Sequence, residues 1–476
     1  MTSIPVAVKT KASVGSNRIA SYLLFATVAA APFPFGSRDA STVAFWCILL
    51  GIAAVSASVR DLGKPRQALL LGVGFIVACY GLVLHEQLSD RPWIANPHPL
   101  WAEASELLGV ELAPSVSIAK YEPFYSLGPP LAAILALTLG LVVGSDRSRA
   151  RQLLLMVGWS GAGYAFYGIV STLLEPTMIL WREKQAGIDS VTGTFINPNT
   201  AATYFGSCAA IWLLILSERI RERLPEGPLQ WELLAQHFPT KARKTVAFAF
   251  LAFFVCFMAL LMSGSRAGVI VSMLTLVAAF TVFFHRDLAK RSGLALLAAG
   301  AAGVGLLLVQ FLGGAVSQRF DAYGLSGEGR LAGYRSTLHM IAEHPWFGTG
   351  LGTFVWSFPS YRSTEVSLFG VWDRAHNTPL ELIADLGIPL AVVIGLGWIL
   401  ILALLIRGAT RRRRDRMVPL AALSVALICL LHSMVDFSLQ VPGYAIVAFA
   451  VVGVGLAQSF RTSTNSISIT ENKGSS

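Results

Sequence analysis

The sequence contains little charge. Asp, Glu, Lys and Arg make up 13% of its 476 residues, whereas soluble domains carry about 25%. Hydrophobic residues make up 54%, and no stretch as long as an ordinary soluble domain separates the apolar runs. The composition therefore predicts an integral membrane protein and disfavours a soluble enzyme.

Several chemical signatures are also missing. The five cysteines lie singly inside apolar runs, without the paired spacing of disulfide frameworks or thiolate metal sites. The sequence has no Asp-x-Asp, no His-x-x-x-His, no P-loop and no Gly-x-Ser-x-Gly. A metal-dependent nucleotide-sugar transferase and an ATPase are therefore disfavoured, and we expect neither a metal nor another cofactor.

Twelve apolar runs can cross a bilayer core of about 30 Å, which takes roughly 20 residues per helix. They lie near 20–36, 41–58, 68–86, 127–145, 152–174, 198–217, 245–263, 267–284, 293–313, 380–406, 417–435 and 441–459. The sequence thus predicts an all-α polytopic membrane protein of about twelve transmembrane helices.

The spacing of these runs also predicts the domain organisation. Residues 1–313 carry the first nine spans, with short loops. A large loop at 314–379, expected to be periplasmic and to contain short helices, precedes the last three spans at 380–459. Residues 460–476 are rich in Ser, Thr and Asn, which predicts a disordered cytoplasmic tail.

The distribution of basic residues predicts the orientation. With twelve spans and both termini in the cytoplasm, 26 of the 37 Lys and Arg residues fall on the cytoplasmic side and 11 on the outer side, as the positive-inside rule requires. The densest cluster is RGATRRRRDR at 407–416. The net charge of +10 is therefore interpreted as membrane topology, and no nucleic-acid partner is expected.

Polar residues concentrate where apolar runs begin or end, while the span centres are nearly free of charge. The predicted orientation puts all of these ends on the outer side, whereas a transporter usually carries ionisable groups near the bilayer midplane. We therefore expect a site at the outer membrane interface. The residues at these ends are Asn197, Asn199, Ser265, Arg266, His376, Asn377, Glu381, Asp385, His432 and Asp436.

Arg266 stands between two apolar runs, in LLMSGSRAGVIV. An arginine at the end of a span can simply extend its charge to the membrane surface. Alternatively, Ser265 and Arg266 open the eighth span, where free main-chain N–H groups and a planar guanidinium together suit a phosphate group. A phosphate ester on a membrane lipid would fit this position.

Other strings also allow both a structural and a functional interpretation. In TGTFINPNTAATYFG, Asn199 or Thr200 can cap the following helix, or the carboxamides can contact a sugar or a phosphate. His376 can be structural, or it can act as a general base because imidazole exchanges protons near neutral pH. The glycines of HPWFGTGLGTF predict a tight re-entrant turn, because their spacing does not fit a dinucleotide site.

The string RLAGYRSTLHMIAEHP predicts a short amphipathic helix on the outer side. Its apolar residues follow helical spacing, and Pro345 ends the pattern. They are Leu331, Tyr334, Leu338 and Ile341. We expect this helix to lie against the membrane face or to cap the bundle.

Five strings occur in a fixed order: GTFINPNTAATYFG, GSRAG, GRLAGYRSTLHMIAEHPWFGTGLGTF, AHNTPLELIADLG and HSMVDFSLQVPG. Together they resemble the O-antigen ligase and polymerase superfamily over about residues 190–443. The resemblance implies a multi-pass protein of the bacterial inner membrane with its active site facing the periplasm. It further implies metal-independent transfer of a glycan from an undecaprenyl-pyrophosphate carrier to an acceptor hydroxyl, on lipid A-core for a ligase or on a growing polysaccharide for a polymerase.

The resemblance also implies roles by position. Arg266 would hold the pyrophosphate with help from Arg330 and Arg335, and His376 would activate or position the acceptor hydroxyl. The sequence departs from the family at Thr378 and Pro379, where Asp-Tyr is common, and at Asp385, where Glu is common; these departures concern the acceptor side. Further candidate substrate contacts are Asn197, Asn199, Asn377, Glu381, Asp385 and Asp436.

Two rival functions remain open at the level of sequence. A protein O-oligosaccharyltransferase of the same fold would use the same residues. A polysaccharide or lipid transporter would instead favour midplane charges and internal repeats, and the sequence shows neither of these.

The orientation is testable with reporter fusions. Fusions within 217–244 should report a cytoplasmic location, and fusions within 314–379 should report a periplasmic one, because these loops lie on opposite sides of the predicted topology. The reverse pattern would contradict the expectation that the polar span ends face the periplasm.

Overall fold

The computed structural model describes residues 11–60, 62–185, 187–223, 240–285, 327–366, 371–412 and 416–460. The helices are, in chain order, α1 (Lys11–Ala30), α2 (Ala40–Ser56), α3 (Lys64–Leu88), α4 (Leu100–Leu108), α5 (Glu122–Tyr125), α6 (Gly128–Val143), α7 (Arg147–Leu174), α8 (Pro198–Arg221), α9 (Thr240–Met262), α10 (Arg266–Phe284), α11 (Gly327–Glu343), α12 (Phe354–Tyr361), α13 (Thr378–Leu386), α14 (Ile388–Arg411), α15 (Met417–Ser433) and α16 (Pro442–Ser459). Within these ranges the strands form one antiparallel hairpin, β1 (Met178–Ile179) and β2 (Arg182–Glu183).

Eight helical segments among the described residues are long and apolar enough to cross a membrane. They are α3, Glu122–Val143, α7, α8, Arg243–Met262, α10, α14 and α16. The shorter apolar helices α2 and α15 occupy two more of the predicted positions. The predicted all-α polytopic membrane fold is therefore confirmed. Two other predicted features, the span at 293–313 and the tail from 461 onward, lie outside the described residues.

The tenth predicted span begins later than its apolar pattern indicates. Residues 380–386 belong to the separate short helix α13, and α14 starts at Ile388. Gly387 breaks the helix with a φ of 83°, and a side chain there would collide with the carbonyl of Trp346. The predicted start at 380 is therefore wrong, because hydropathy does not register a glycine turn between two apolar helices.

One end of the bundle, here called the loop end, carries the segments that connect α1 to α2, α3 to α6, α7 to α8, α9 to α10 and α15 to α16. Contacts between these segments hold them together. The Val191 N–H donates to the Met262 carbonyl at 2.9 Å, and Thr194 Oγ1 donates to the Pro32 carbonyl at 2.5 Å. All of these segments belong to the side that the sequence assigns to the outer face.

The central helix α8 is almost wholly buried, and small residues bring α10 against it. A Cβ at Gly268 would lie 2.6 Å from the Cβ of Ala202, and Gly206 packs against Ser272 four residues further along each helix. The two helices therefore run parallel and both begin at the loop end. Glycines that allow such close approach are common in membrane helix packing.

Helix α15 runs antiparallel to α10. The Arg416 guanidinium, just before α15, lies 5.1 Å from the ring of Phe283 near the end of α10 and donates to its carbonyl. The last residues of α15 therefore lie at the same end of the bundle as Arg266. This antiparallel packing places the start of α10 beside the end of α15, although the two ends lie far apart in sequence.

Two polar side chains in the last turn of α3 bind main-chain groups of the segments at the loop end. Glu86 is fully buried, and its carboxylate accepts main-chain N–H groups from Trp93, Ile94 and Ala95 at 2.8–3.1 Å. The adjacent Gln87 donates to the Phe347 and Asp385 carbonyls and accepts from the Leu351 N–H. These polar side chains at the end of an apolar helix are thus structural ligands for main-chain groups that would otherwise be buried without partners.

The amphipathic helix predicted around 331–341 is confirmed as α11, but its buried face differs from the prediction. Leu331 and Leu338 are about half exposed, while Ala332, Met340 and Ile341 are buried. The buried face also includes Gly333, whose missing side chain makes room for the buried ring of Trp372. Small residues, which carry a weak hydrophobic signal, therefore form much of the contact surface.

A pair of histidines joins the segment after α3 to the end of α11. Nε2 of His98 lies 3.1 Å from Nε2 of His344, and Nδ1 of His98 accepts the Leu100 N–H. Because Nδ1 of His98 accepts this hydrogen bond, it carries no proton. The proton of the neutral ring is therefore on Nε2, which donates to Nε2 of His344. Burial lowers the pKa of both imidazoles, and for His98 the neighbouring His344 adds to this, against an opposing influence of Glu343.

We expect this pair to make stability depend on pH. Because both folded-state pKa values are lowered, the unfolded chain binds more protons, so the free energy of unfolding should fall as pH falls through the ordinary histidine range near about 6.5. In thermal melts of the purified protein at pH 7.5 and 5.5, His344→Gln should reduce this loss. The control His339→Gln removes an exposed histidine of α11 and should leave it unchanged; an unaltered loss in His344→Gln would contradict the prediction.

Candidate active site

His376 stands in the segment just before α13 and has an unusual main-chain conformation. Its φ is 52°, in the left-handed region that costs a non-glycine residue on the order of 1–3 kcal/mol. The hydroxyl of Tyr334 donates to its carbonyl at 2.9 Å, and the preceding Ala375 N–H donates to Glu381 Oε2 at 2.8 Å. Hydrogen bonds on both sides thus hold a strained residue in place.

The imidazole of His376 lies between aromatic rings and a carboxylate. The rings of Trp372 and Phe437 approach it edge-on, with centroids 5.7 and 5.3 Å away. Its Nδ1 lies 3.4 Å from Asp436 Oδ1, and 18% of the side chain is exposed. The ring is therefore confined on several sides but still open to a reactant.

Asp436 is buried, and its carboxylate faces positive or polarised groups. Burial raises the pKa of Asp436, but the contact with His376, the nearby His432 and the Phe437 N–H outweigh burial and lower it below its usual value. Oδ1 accepts that N–H at 2.7 Å. Asp436 is therefore ionised at neutral pH, and a carboxylate next to imidazole can orient the ring and stabilise its protonated form.

The turn that follows α15 binds the segment carrying His376. Three consecutive main-chain carbonyls accept side-chain donors from outside the turn. Asn377 Nδ2 donates to Met434 at 2.9 Å, Arg330 Nη1 donates to Val435 at 3.3 Å, and Thr378 Oγ1 donates to Asp436 at 3.1 Å. The predicted residues Arg330, His376, Asn377 and Asp436 are thereby brought together, although they come from three separate parts of the sequence.

Arg266 is the first residue of α10 and is exposed. Ser265 caps this helix, since its Oγ accepts the Gly268 N–H at 3.2 Å. Because α10 and α15 are antiparallel neighbours, Arg266 lies at the same end of the bundle as Asp436. The helix start adds free N–H groups beside the guanidinium, and together they suit an anionic group.

Some predicted substrate contacts have structural partners instead. Asn197 is the cap of α8, accepting the Asn199 N–H at 2.7 Å, so the expectation that Asn199 or Thr200 caps this helix is wrong by two or three residues. Glu381 is 3% exposed, and both of its oxygens are used, one by Arg374 and one by the Ala375 N–H. These side chains shape the site, and their role as direct contacts stays a prediction.

Arg335 lies on a different face of α11 from Arg330. Its guanidinium is 3.8 Å from Glu365, and both side chains are about two-thirds exposed. Five residues of helix separate the two arginines and turn them well apart. The structure therefore associates Arg330 with the His376 segment and places Arg335 at the surface.

Sequence reasoning did not assign roles to three residues of this site: Tyr334, Arg374 and Gln440. Arg374 Nη1 bridges Glu381 Oε1 at 3.0 Å and Gln440 Oε1 at 3.1 Å. Tyr334 follows Arg330 by four residues, which places both on one helix face, and that spacing is a signal that the sequence does carry. Within the described ranges, no cluster of three or more His, Cys, Asp or Glu side chains is arranged to hold a metal ion.

Asp385 lies apart from His376, among buried main-chain groups. It is 5% exposed and its Oδ2 accepts the Gly352 N–H at 2.8 Å. Burial and then the charge of Glu381 raise the pKa of Asp385 well above its usual value, which favours the protonated carboxyl. A raised folded-state pKa contributes stability that is lost as pH rises through it.

We therefore expect Asp385→Asn to keep both stability and function, because an amide oxygen can still accept the Gly352 N–H. Asp385→Leu should cost about 1–3 kcal/mol by leaving that buried donor unsatisfied. Thermal stability of the purified variants is the measurement. A severe loss of thermal stability in Asp385→Asn would contradict a protonated, structural carboxyl. A loss of function at unchanged stability would instead favour the predicted substrate contact.

Comparison with known proteins adds an independent finding. Residues 251–395 match the family model described as O-antigen ligase, whereas a search of curated proteins gives no match. The matched region includes Arg266 on α10, Arg330 on α11 and His376 just before α13, and it ends before Asp436. Residues 251–395 thus carry an O-antigen ligase domain, and this match supports the resemblance to the O-antigen ligase and polymerase superfamily.

Proposed function

We propose that this protein is an inner-membrane glycosyltransferase that moves a glycan from an undecaprenyl-pyrophosphate carrier to an acceptor hydroxyl. The observation that carries the proposal is the contact between His376 and the buried carboxylate of Asp436, at the loop end where α10 begins with Arg266. The family match and the polytopic fold support it. In this proposal the loop end faces the periplasm and both termini lie in the cytoplasm.

In this mechanism His376 activates the acceptor. Its imidazole takes the proton of the acceptor hydroxyl as the oxygen attacks the anomeric carbon, and Asp436 stabilises the resulting imidazolium. A bond from the acceptor oxygen to the anomeric carbon forms while the bond to the pyrophosphate oxygen breaks. A single displacement of this kind inverts the anomeric configuration.

Cationic groups stabilise the leaving group of the donor. The departing lipid pyrophosphate gains negative charge, which Arg266 and the N–H groups at the start of α10 stabilise, with Arg330 as a second cation near His376. Fixed donors in a partly dry site can supply this without a metal, and removing one such group typically costs about 2.7–4 kcal/mol of transition-state stabilisation. The acceptor is lipid A-core for a ligase or a lipid-linked glycan for a polymerase.

A transfer assay with the purified protein and a lipid-pyrophosphate glycan tests the proposal. His376→Ala should lower the rate by about 10²–10⁴, and Arg266→Ala by about 10²–10³. The control Arg182→Ala removes an exposed arginine at the same end, paired with Asp39, and should retain the wild-type rate.

Several outcomes would separate the alternatives. Wild-type rates in well-expressed His376→Ala and Arg266→Ala would refute the site. A wild-type protein that moves the intact lipid across vesicles without cleaving it would be a transporter. In cells that lack the gene, unligated long chains indicate a ligase and single repeats indicate a polymerase, whereas loss of glycan from a protein indicates an oligosaccharyltransferase.

A further inference from the structure

The left-handed conformation of His376 requires an explanation within the site. A histidine released from its contacts would return to negative φ, where a side chain meets less steric strain. Such a change in φ exceeds 100° and would swing the imidazole away from Asp436. Whatever holds the main chain at His376 therefore also holds the 3.4 Å contact between Nδ1 and the carboxylate.

Tyr334 is the side chain that acts on His376 itself. Its hydroxyl donates to the His376 carbonyl at 2.9 Å, and a carbonyl can only accept, so the phenol must be the donor. Burial raises the pKa of Tyr334 above its usual value, so the phenol keeps its proton through neutral pH. Glu381 and Asn377 act on the residues on either side, through the Ala375 N–H and the cap of α13.

The same face of α11 also holds the partner of His376. Arg330, one turn before Tyr334, donates to the Val435 carbonyl, which adjoins Asp436. One helical face thus fixes the main chain on both sides of the imidazole–carboxylate contact. This arrangement makes α11 the element that sets the relative position of the two groups.

We propose that Tyr334 is a positioning residue: its hydroxyl keeps His376 in the left-handed conformation in which Nδ1 faces Asp436. The opposite ring nitrogen, Nε2, is then directed to the acceptor hydroxyl. This inference rests on the proposed function. It assigns to Tyr334 no contact with substrate.

The test compares Tyr334→Phe with Tyr361→Phe in the full-length protein. Both variants remove one hydroxyl from the helices between α10 and α13, but Tyr361 donates to Glu343 and not to His376. In Tyr334→Phe, kcat should fall by about 10–100-fold as part of the general-base contribution is lost, while KM for the lipid-pyrophosphate donor stays unchanged.

A double variant gives a stricter readout. Tyr334→Phe should cause no further loss in a His376→Ala background, since residues that act as a unit are not additive. Wild-type kcat in Tyr334→Phe would overturn the proposal. So would an additive loss in the double variant, a raised donor KM with unchanged kcat, or failure of the variant to fold, because each assigns the hydroxyl to binding or to the fold.

A measurement without turnover separates this inference from the proposed function. Diethyl pyrocarbonate modifies exposed imidazole, and mass spectrometry can follow the modification at His376 alone. The rate should rise several-fold in Tyr334→Phe and should match wild type in Tyr361→Phe, whether or not the protein transfers glycan. Equal rates in all three proteins would refute the positioning role, and a wild-type protein that transfers no glycan would refute the proposed function instead.

Discussion

The main-chain carbonyls of residues 434–436 attach α11 and the segment that carries His376 to the end of α15. They follow the last turn of α15, where carbonyl groups have no partner further along the helix. Asn377, Arg330 and Thr378 supply that missing partner, one for each carbonyl. These hydrogen bonds at the end of α15 also bring His376 against Asp436.

A buried carboxylate imposes a second requirement on this region. Removing Asp436 from water disfavours its charge, and only favourable neighbours can keep it ionised. His376 and the Phe437 N–H provide them on Oδ1. The carboxylate and the imidazole therefore depend on each other, and under the proposed function this contact orients the general base before an acceptor binds.

The capping residues show how much of the site the sequence could predict. Asn197, Ser265 and Asn377 each precede a helix and accept one of its first N–H groups. Such short-range patterns predict that a helix starts nearby, but they do not fix the capping residue, since the cap of α8 is Asn197 and not the predicted Asn199 or Thr200. The prediction that the polar ends of the spans lie on one side of the membrane depends on the number of spans, because each added or lost span reverses the orientation of those that follow. The contacts of Met262, Phe283 and Gln87 now support it for the described residues. The start of α14 at Ile388 was missed because a positive φ at glycine leaves no trace in hydropathy.

By itself the sequence determined the membrane environment, most span positions and the residue types that can handle phosphate and exchange a proton, since these follow from local composition and spacing. It could not decide which of those residues meet. Arg330 and Arg335 have the same chemistry in the same helix, yet only Arg330 reaches the turn after α15, because the two side chains point to different sides of α11. The role of Tyr334 and the structural use of Glu381 likewise arise from contacts between distant segments. Tertiary packing alone fixes these, because a side chain's partner depends on where its helix face points.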